Sequence, residues 1–257
     1  MIDLHSHVLP GLDDGPGDMA GSLSLARAAV DAGTRVLAAT PHIGHRYDVP
    51  PSELAAHLAA LREALDADGV PLEVVAGGEV AAGMAADLTP GELEQIALGG
   101  GSCILLECPF SESGGLMPGL AAHLRGDGFR VLLAHPERSP EFLREPALLA
   151  ALIDDGAFVQ ITAGSLRGDF GRMVRRFALA LLGDRLVHVV ASDAHDAYHR
   201  SPELASIVAL VARETGMPVG TTQFLTDEAP RALLDDDPVP RFPTGQRHRR
   251  RGLLRRR

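Results

Sequence analysis

Residues 103–109 read CILLECP. Four apolar residues in a row, with no polar alternation, mark a strand buried on both faces, and such strands belong to parallel sheets covered by helices. The run closes on a carboxylate, Glu107, with no basic residue near it in sequence. An unpaired carboxylate in such a place costs several kcal/mol to desolvate, so it calls for a cation. Similar runs recur at 2–5, 36–40 (VLAAT), 72–76 (LEVVA), 130–134 (RVLLA), 157–161 (AFVQI) and 187–191 (VHVVA). Helix-like stretches lie between them. Strands alternating with helices predict a βα-barrel or a related parallel α/β fold.

The helices carry their own signals. TPGE at 89–92 predicts a capping box, with Thr89 as N-cap, Pro90 at the first position and Glu92 reaching back. SPEL at 201–204 predicts another helix start. Leu54, Leu58, Leu61 and Leu65 form one apolar stripe, read as core packing.

The 257 residues, 46% hydrophobic and 23% charged, suit one large domain. No run approaches the ~20 apolar residues of a membrane span, and the start has neither the basic nor the apolar region of a signal peptide. Two cysteines suit a reducing compartment, so the expected location is cytoplasmic. Eight of the 24 arginines fall in residues 241–257, which hold no acid, leaving 16 against 34 acids in the body. That body is no nucleic-acid surface. Residues 1–237 are read as the domain and 238–257 as a basic, disordered tail. Contact of the tail with an anionic membrane surface is the alternative.

In a parallel βα fold, functional groups collect at the C-terminal strand ends. His5 and His7 close the first strand, and their i, i+2 spacing puts them on one face. His42 follows the second strand, Glu79 the third, Glu107 the fourth and His135 the fifth; Asp193 and His195 end the seventh. A single histidine after a strand is usually a hydrogen-bonded structural residue. So many converging at once are explained together by a metal cluster. Asp13 and Asp14 in GLDDGP make a turn signal, and Asp14 is the one taken as a ligand. Mixed histidine and carboxylate donors suit Mn, Fe or Zn, and about nine are enough for two or three ions. Such clusters hydrolyse phosphate esters or amides.

The stretches MIDLHSHVLPGLDDGP (1–16), ATPHIGHRYDVP (39–50), GGEV (77–80), LLECPF (105–110), LLAHPER (132–138), VQITAGSLRGDFG (159–171) and LVHVVASDAH (186–195) resemble the PHP (polymerase and histidinol phosphatase) superfamily. Within it they are most similar to the metal-dependent protein-tyrosine phosphatases of bacterial capsule and exopolysaccharide synthesis, the CpsB/CapC type. LPGLDDGP, AHPER and TAGSLRGDFG are the most specific motifs, and the likeness spans roughly residues 1–235. It implies a single-domain, distorted (β/α)7 barrel of the PHP type, with two or three divalent metals, Mn foremost. By position, it implies that His5, His7, Glu79 and Asp193 hold one metal; that Glu79 bridges to a second completed by Glu107 and His135; and that Asp14, His42 and His195 hold a third. Arg138 matches the phosphate-binding arginine, and Arg200 lies near a second catalytic arginine.

Two stretches depart from the pattern. PHIGH replaces consecutive histidines, which makes His45 a substitute contact or a surface residue, and DAYHRSP replaces an arginine-proline-proline run around Arg200.

The implied partner is a phosphotyrosine-bearing protein, a bacterial tyrosine kinase. Histidinol phosphate hydrolysis and a regulatory metal-binding module of a polysaccharide export complex are the competing readings. Tyr47 and Tyr198 lie in strand-end loops. Tyr47 is the candidate to stack on a substrate ring, against the plainer role of a half-buried loop aromatic. Cysteine-dependent chemistry needs an arginine six positions after the cysteine, and Pro109 and Gly114 stand there instead. Activity is therefore expected to be lost on chelation and to survive alkylation of thiols. Loss on alkylation with retention under chelator reverses this reading.

Overall fold

Every ladder between the strands is parallel, as their unbroken apolar runs require. The structure is a computed structural model, and it describes residues 1–243 except residues 45, 48, 112–114 and 218. The strands are β1 (Ile2–Ser6), β2 (Val36–Ala39), β3 (His42–Ile43), β4 (Glu73–Ala76), β5 (Glu79–Ala81), β6 (Cys103–Glu107), β7 (Arg130–Ala134), β8 (Phe158–Thr162) and β9 (Val189–Ala191). One sheet has the order β1-β2-β4 and the other β3-β5-β6-β7-β8-β9. The fold is thus mixed α/β, with helices between most successive strands.

The two sheets meet twice. β2 runs on to β3 across Thr40 and Pro41, and β4 to β5 across Gly77 and Gly78. Proline removes a ladder donor there. The glycines are needed for space: a Cβ on Gly77 would lie 2.9 Å from Leu98 and Thr40, and one on Gly78 2.9 Å from Ile43 and 3.0 Å from Ile96. At the far edges β1 meets β9 in a parallel bridge between Ser6 and Ala194. There the His7 amide donates to the Ala194 carbonyl at 2.8 Å and the Asp193 amide to that of His5 at 2.9 Å. Oδ1 of buried Asp3 joins the same edges, accepting from the amides of Ser192 at 3.0 Å and His5 at 3.3 Å.

Two layers of core explain the composition of the strands. Ile2, Leu4, Val36, Ala38, Cys103, Leu105, Leu132, Ala134, Val189 and Ala191, drawn from both sheets, form one cluster. The alternate residues Leu37, Val74, Ile104, Leu106, Val131, Leu133, Val159, Ile161 and Val190 pack outward with the helices. Leu54, Leu58, Leu61 and Leu65 are the buried stripe of helix Leu54–Ala67. The capping box at Thr89 and Glu92 opens helix Pro90–Ile96.

Two sequence expectations are corrected. His42 and Glu79 do follow β2 and β4, but each opens a further short strand, β3 and β5, too brief to show a period. The helix expected from SPEL starts at Ala205. The preceding chain stays in a loop because Asp196 gathers the amides of Tyr198, His199 and Arg200 at 2.6, 2.5 and 3.2 Å. Among the described residues no helix is long and apolar enough to cross a membrane. His45 and residues 244–257 of the tail lie outside the described residues.

Gly78→Ala should force Ile43 or Ile96 aside, next to the β3–β5 pairing, at a cost of about 1–3 kcal/mol. For a chain of this size that is a fall in Tm of roughly 2–4 °C per kcal/mol. Gly83→Ala, with nothing within 4 Å of its new Cβ, is the control and should hold Tm. Calorimetry giving equal melting for the two variants contradicts the crowding.

Candidate metal centre

β1 carries His5 and leads straight into His7, with a one-residue irregularity on the way: Asp3 pairs with Leu37 but Ser6 with Ala39. Each ring is then oriented by a partner on its outer side. Nδ1 of His5 donates to Oε1 of Gln160 at 3.0 Å. Nδ1 of His7 donates to Oδ2 of Asp13 at 2.6 Å. With Nδ1 engaged on the outer side, each ring turns its Nε2 inward, and those two nitrogens lie 3.3 Å apart. His195 is set the same way, its Nδ1 donating to the Asp193 carbonyl at 2.9 Å.

Glu79 stands at the middle. It pairs with His42 across β3 and β5, one strand over from β6, which ends in Glu107. Its Oε1 accepts from Nε2 of His135 at 2.8 Å. Its Oε2 lies 3.3 Å from Nε2 of His5, 3.4 Å from Nε2 of His7 and 3.0 Å from Nδ1 of His42. That oxygen, Nδ1 of His135 and Nε2 of His195 are nonetheless buried without a properly formed hydrogen bond among the described residues. Buried polar atoms are rarely left so, and unpartnered donors within one cluster fit bound cations.

The remaining donors close the ring. Oδ1 of Asp14 lies 3.4 Å from His42 and 3.2 Å from His195. Oδ1 of Asp193 lies 3.5 Å from both His5 and His7. His135 (φ 35°) and Asp193 (φ 55°) hold left-handed backbone, a conformation costing roughly 1–3 kcal/mol in a non-glycine residue. In both cases that turn swings the side chain off its strand end into the cluster.

Charge accounts for the ionisation states. Burial opposes the protonated His5 ring, but Glu79 and Asp193 outweigh it, and its pKa rises. His42 is half-buried, which opposes its charge, but Asp14 and Glu79 hold it at about 9. Glu79 is buried yet held well below the usual range by His5, His135 and His42. Glu107 is pushed up to about 7 by burial and by the charge of Glu79. Buried Glu79 and Asp193, with half-buried Glu107 and exposed Asp14 beside them, thus demand positive charge, which ring protons supply only in part.

Nine residues form four groups with donor atoms within 4.8 Å of one another: His7, Asp14, His42 and His195; His5, His7 and Asp193; His5, Glu79 and His135; and His42, Glu79 and Glu107. The structure brings together all nine expected donors. Two of these groups contain the implied sets His5, His7 and Asp193 and Asp14, His42 and His195, while Glu79 reaches His135 with one oxygen and His5, His7 and His42 with the other. Glu107 groups with His42 and Glu79.

Arg138 and Arg200 converge on Oδ2 of Asp193, at 3.1 and 2.9 Å. Arg138 does not pair with its neighbour Glu137, which is buried and accepts from the Thr162 amide at 2.9 Å and the Ser165 hydroxyl at 2.6 Å. Tyr47 stacks on His42 with centroids 5.3 Å apart and 4° between planes, whereas Tyr198 is 82% exposed. Cys103 and Cys108 are buried, and burial pushes Cys103 up to about 12 and Cys108 well above its usual value, so neither is a thiolate.

Sequence reasoning missed Asp13 and Gln160 as orienting residues, and Phe110 and Phe170 beside Arg138. Gln160 did carry a signal, a lone amide in the apolar run FVQI. The sequence marks Asp13 as a turn residue, and it does accept from the Gly15 amide at 2.9 Å while orienting His7.

Parallel strands whose C-terminal ends carry several histidines and carboxylates define a class of metal-centre α/β proteins. The profile of the family described as capsular polysaccharide synthesis, CpsB/CapC, matches residues 1–234, and the chain belongs to that family. Tyrosine-protein phosphatase YwqE of Bacillus subtilis (strain 168) is 35% identical over 246 residues, covering 95% of each chain. The putative tyrosine-protein phosphatase CapC of Staphylococcus aureus is 32% identical over 207 residues, covering 78% of this chain and 79% of that one. A chain from the solved structures of YwqE from Bacillus subtilis and CpsB from Streptococcus pneumoniae, described as unique metal-dependent tyrosine phosphatases, is similar with TM-score 0.83 and 34% identity, over 97% of this chain and 100% of that one. The phosphotriesterase of Mycobacterium tuberculosis shares the fold alone, with TM-score 0.54 and 11% identity over 85% of this chain and 86% of that one.

Glu107→Gln keeps the shape of the side chain and removes its charge. Bound divalent metal, measured by elemental analysis of protein purified without chelator, should fall. Unchanged occupancy assigns Glu107 a structural role.

Proposed function

We propose that the chain is a metal-dependent phosphomonoesterase that removes phosphate from protein phosphotyrosine, acting in the cytoplasm on a bacterial tyrosine kinase of capsule or exopolysaccharide synthesis. The observation that carries it is the set of unpartnered buried donors on Glu79, His135 and His195 beside two arginines that share one carboxylate. In this reading β2 with β3, and β4 with β5, each count as one interrupted strand, which makes residues 1–237 one distorted (β/α)7 barrel closed between β1 and β9.

His5, His7, Asp14, His42, Glu79, Glu107, His135, Asp193 and His195 would hold two or three divalent cations, Mn by preference. Bound there, such ions supply hydroxide near neutral pH and neutralise phosphoryl charge. Asp13 and Gln160 hold the Nε2 atoms of His7 and His5 facing inward, so those rings are oriented as ligands without rearrangement. Arg138 presents a planar fork to the phosphoryl oxygens, and Arg200 approaches from the other chain segment on Asp193. The leaving phenolate has a pKa near ~10, so it departs with less need of a proton than an alkoxide would.

The reading is tested with Mn-loaded enzyme on a phosphotyrosyl peptide, with histidinol phosphate as the comparison. Turnover of the peptide, lost on chelation, supports it; turnover of histidinol phosphate alone overturns it. Arg138→Ala should keep its metals and its Tm while turnover falls by about 3–4 kcal/mol, a hundred- to thousandfold, and lysine should restore only part of the loss. A loss of a few-fold, or one that tracks metal content, removes Arg138 as the phosphate clamp.

A further inference from the structure

Arg138 lies between two aromatic rings. Its guanidinium carbon is 4.0 Å from the centroid of Phe170 and 4.5 Å from that of Phe110. Phe110 also stacks on His135, with centroids 5.3 Å apart and 14° between planes. Yet Phe110 remains 51% exposed. Solvent contact of a phenyl ring is unfavourable, and among the exposed large apolar residues Leu116, Met173, Tyr198 and Phe110 it is the one whose ring rests on the centre. Its place is fixed from behind: Cys108 is buried and Pro109 restricts the backbone just before it.

We infer that Phe110 is the specificity-determining residue that makes this centre prefer aryl over alkyl phosphate monoesters; the inference rests on the phosphotyrosine reading above. A phosphoryl group held by the Arg138 fork carries its ester substituent one bond away, beside the ring that flanks the same guanidinium. Aromatic pairs are favourable at centroid separations of about 4.5–7 Å, which an aryl substituent reaches there and a short alkyl group cannot exploit. Of the other aromatics at the rim, Phe170 and Tyr47 are both half-buried whereas Phe110 is 51% exposed, and Tyr47 also packs against the main core. The rest of the donor cluster is polar, so it offers a phenyl ring no comparable surface.

The test uses Mn-loaded full-length enzyme, phenyl phosphate as substrate, and phenylphosphonate and methylphosphonate as competitive inhibitors. Neither phosphonate has a leaving group, so leaving-group chemistry does not enter their inhibition constants. Phe110→Ala should raise the constant for phenylphosphonate about three- to tenfold relative to that for methylphosphonate, at unchanged metal content. Phe110→Tyr should keep the preference, and Phe110→Leu, apolar but without a ring plane, should lose most of it. Should the alanine variant fail to fold, the tyrosine and leucine pair decides in the same way. Equal changes for both inhibitors would show that Phe110 acts only through Arg138, and a constant ratio across the variants would show that the ring does not select; either overturns the inference alone. If the unsubstituted enzyme turns over neither phenyl phosphate nor phosphotyrosyl peptide, the parent reading fails and this inference falls with it.

Discussion

Glu79 is the constraint from which the rest of the centre follows. A carboxylate with 1% of its surface exposed must find positive charge, and here it finds rings from three other parts of the chain. His5, His7, His42 and His135 all lie within 3.4 Å of one of its two oxygens. Removing any one ring leaves a buried charge less compensated, which is a larger penalty than the loss of one contact. The glycine pair before Glu79 is part of the same requirement. Only a residue without Cβ lets β5 begin so close to Ile43 and Ile96, and β5 is what sets Glu79 beside His42.

Much of this was legible because the chemistry sits where strands stop. His188 shows why position matters more than residue type. It lies in the same apolar run as Asp193 and His195, but ahead of β9, accepts from the Val159 amide at 3.1 Å and packs edge-on to Phe158. Burial alone lowers its pKa to about 4. His195, past the strand end, faces the centre. Three features were not legible. Strands of two and three residues leave no period to read. Asp13 and Asp14 are equivalent as letters, and only the turn at Gly15 sends one to the outer side of His7 and the other to His42 and His195. The partition of donors depends on which way each Glu79 oxygen points, a matter of tertiary geometry.

The long-range field points the other way from the substrate. The chain carries a formal net charge of −10, and the body ahead of its basic tail is more acidic still. A phosphate ester is repelled at a distance and has to be captured by groups at close range. Under the function proposed above, Arg138 and Arg200 would be those groups, and their shared contact with Asp193 keeps both forks at the edge of the donor cluster. That arrangement favours a dianion small enough to sit among them. It gives no advantage to the long polyanionic backbone of a nucleic acid, which needs an extended basic surface.

The turn from His135 to Arg138 concentrates these demands in four residues. His135 supplies a donor from a strained left-handed backbone, and its carbonyl accepts from the Arg138 amide at 2.9 Å. Between them Glu137 is buried and accepts from the Thr162 amide and the Ser165 hydroxyl, which bolts the turn to the end of β8. Phe110 and Phe170 then fix the guanidinium plane. Because His135, Glu137 and Arg138 share one short segment, Arg138 cannot drift relative to His135 without breaking the Glu137 hydrogen bonds. Under the function proposed above, a guanidinium held in this way would need no reorganisation as charge develops on the phosphoryl oxygens, and that would be its advantage over a lysine at the same position.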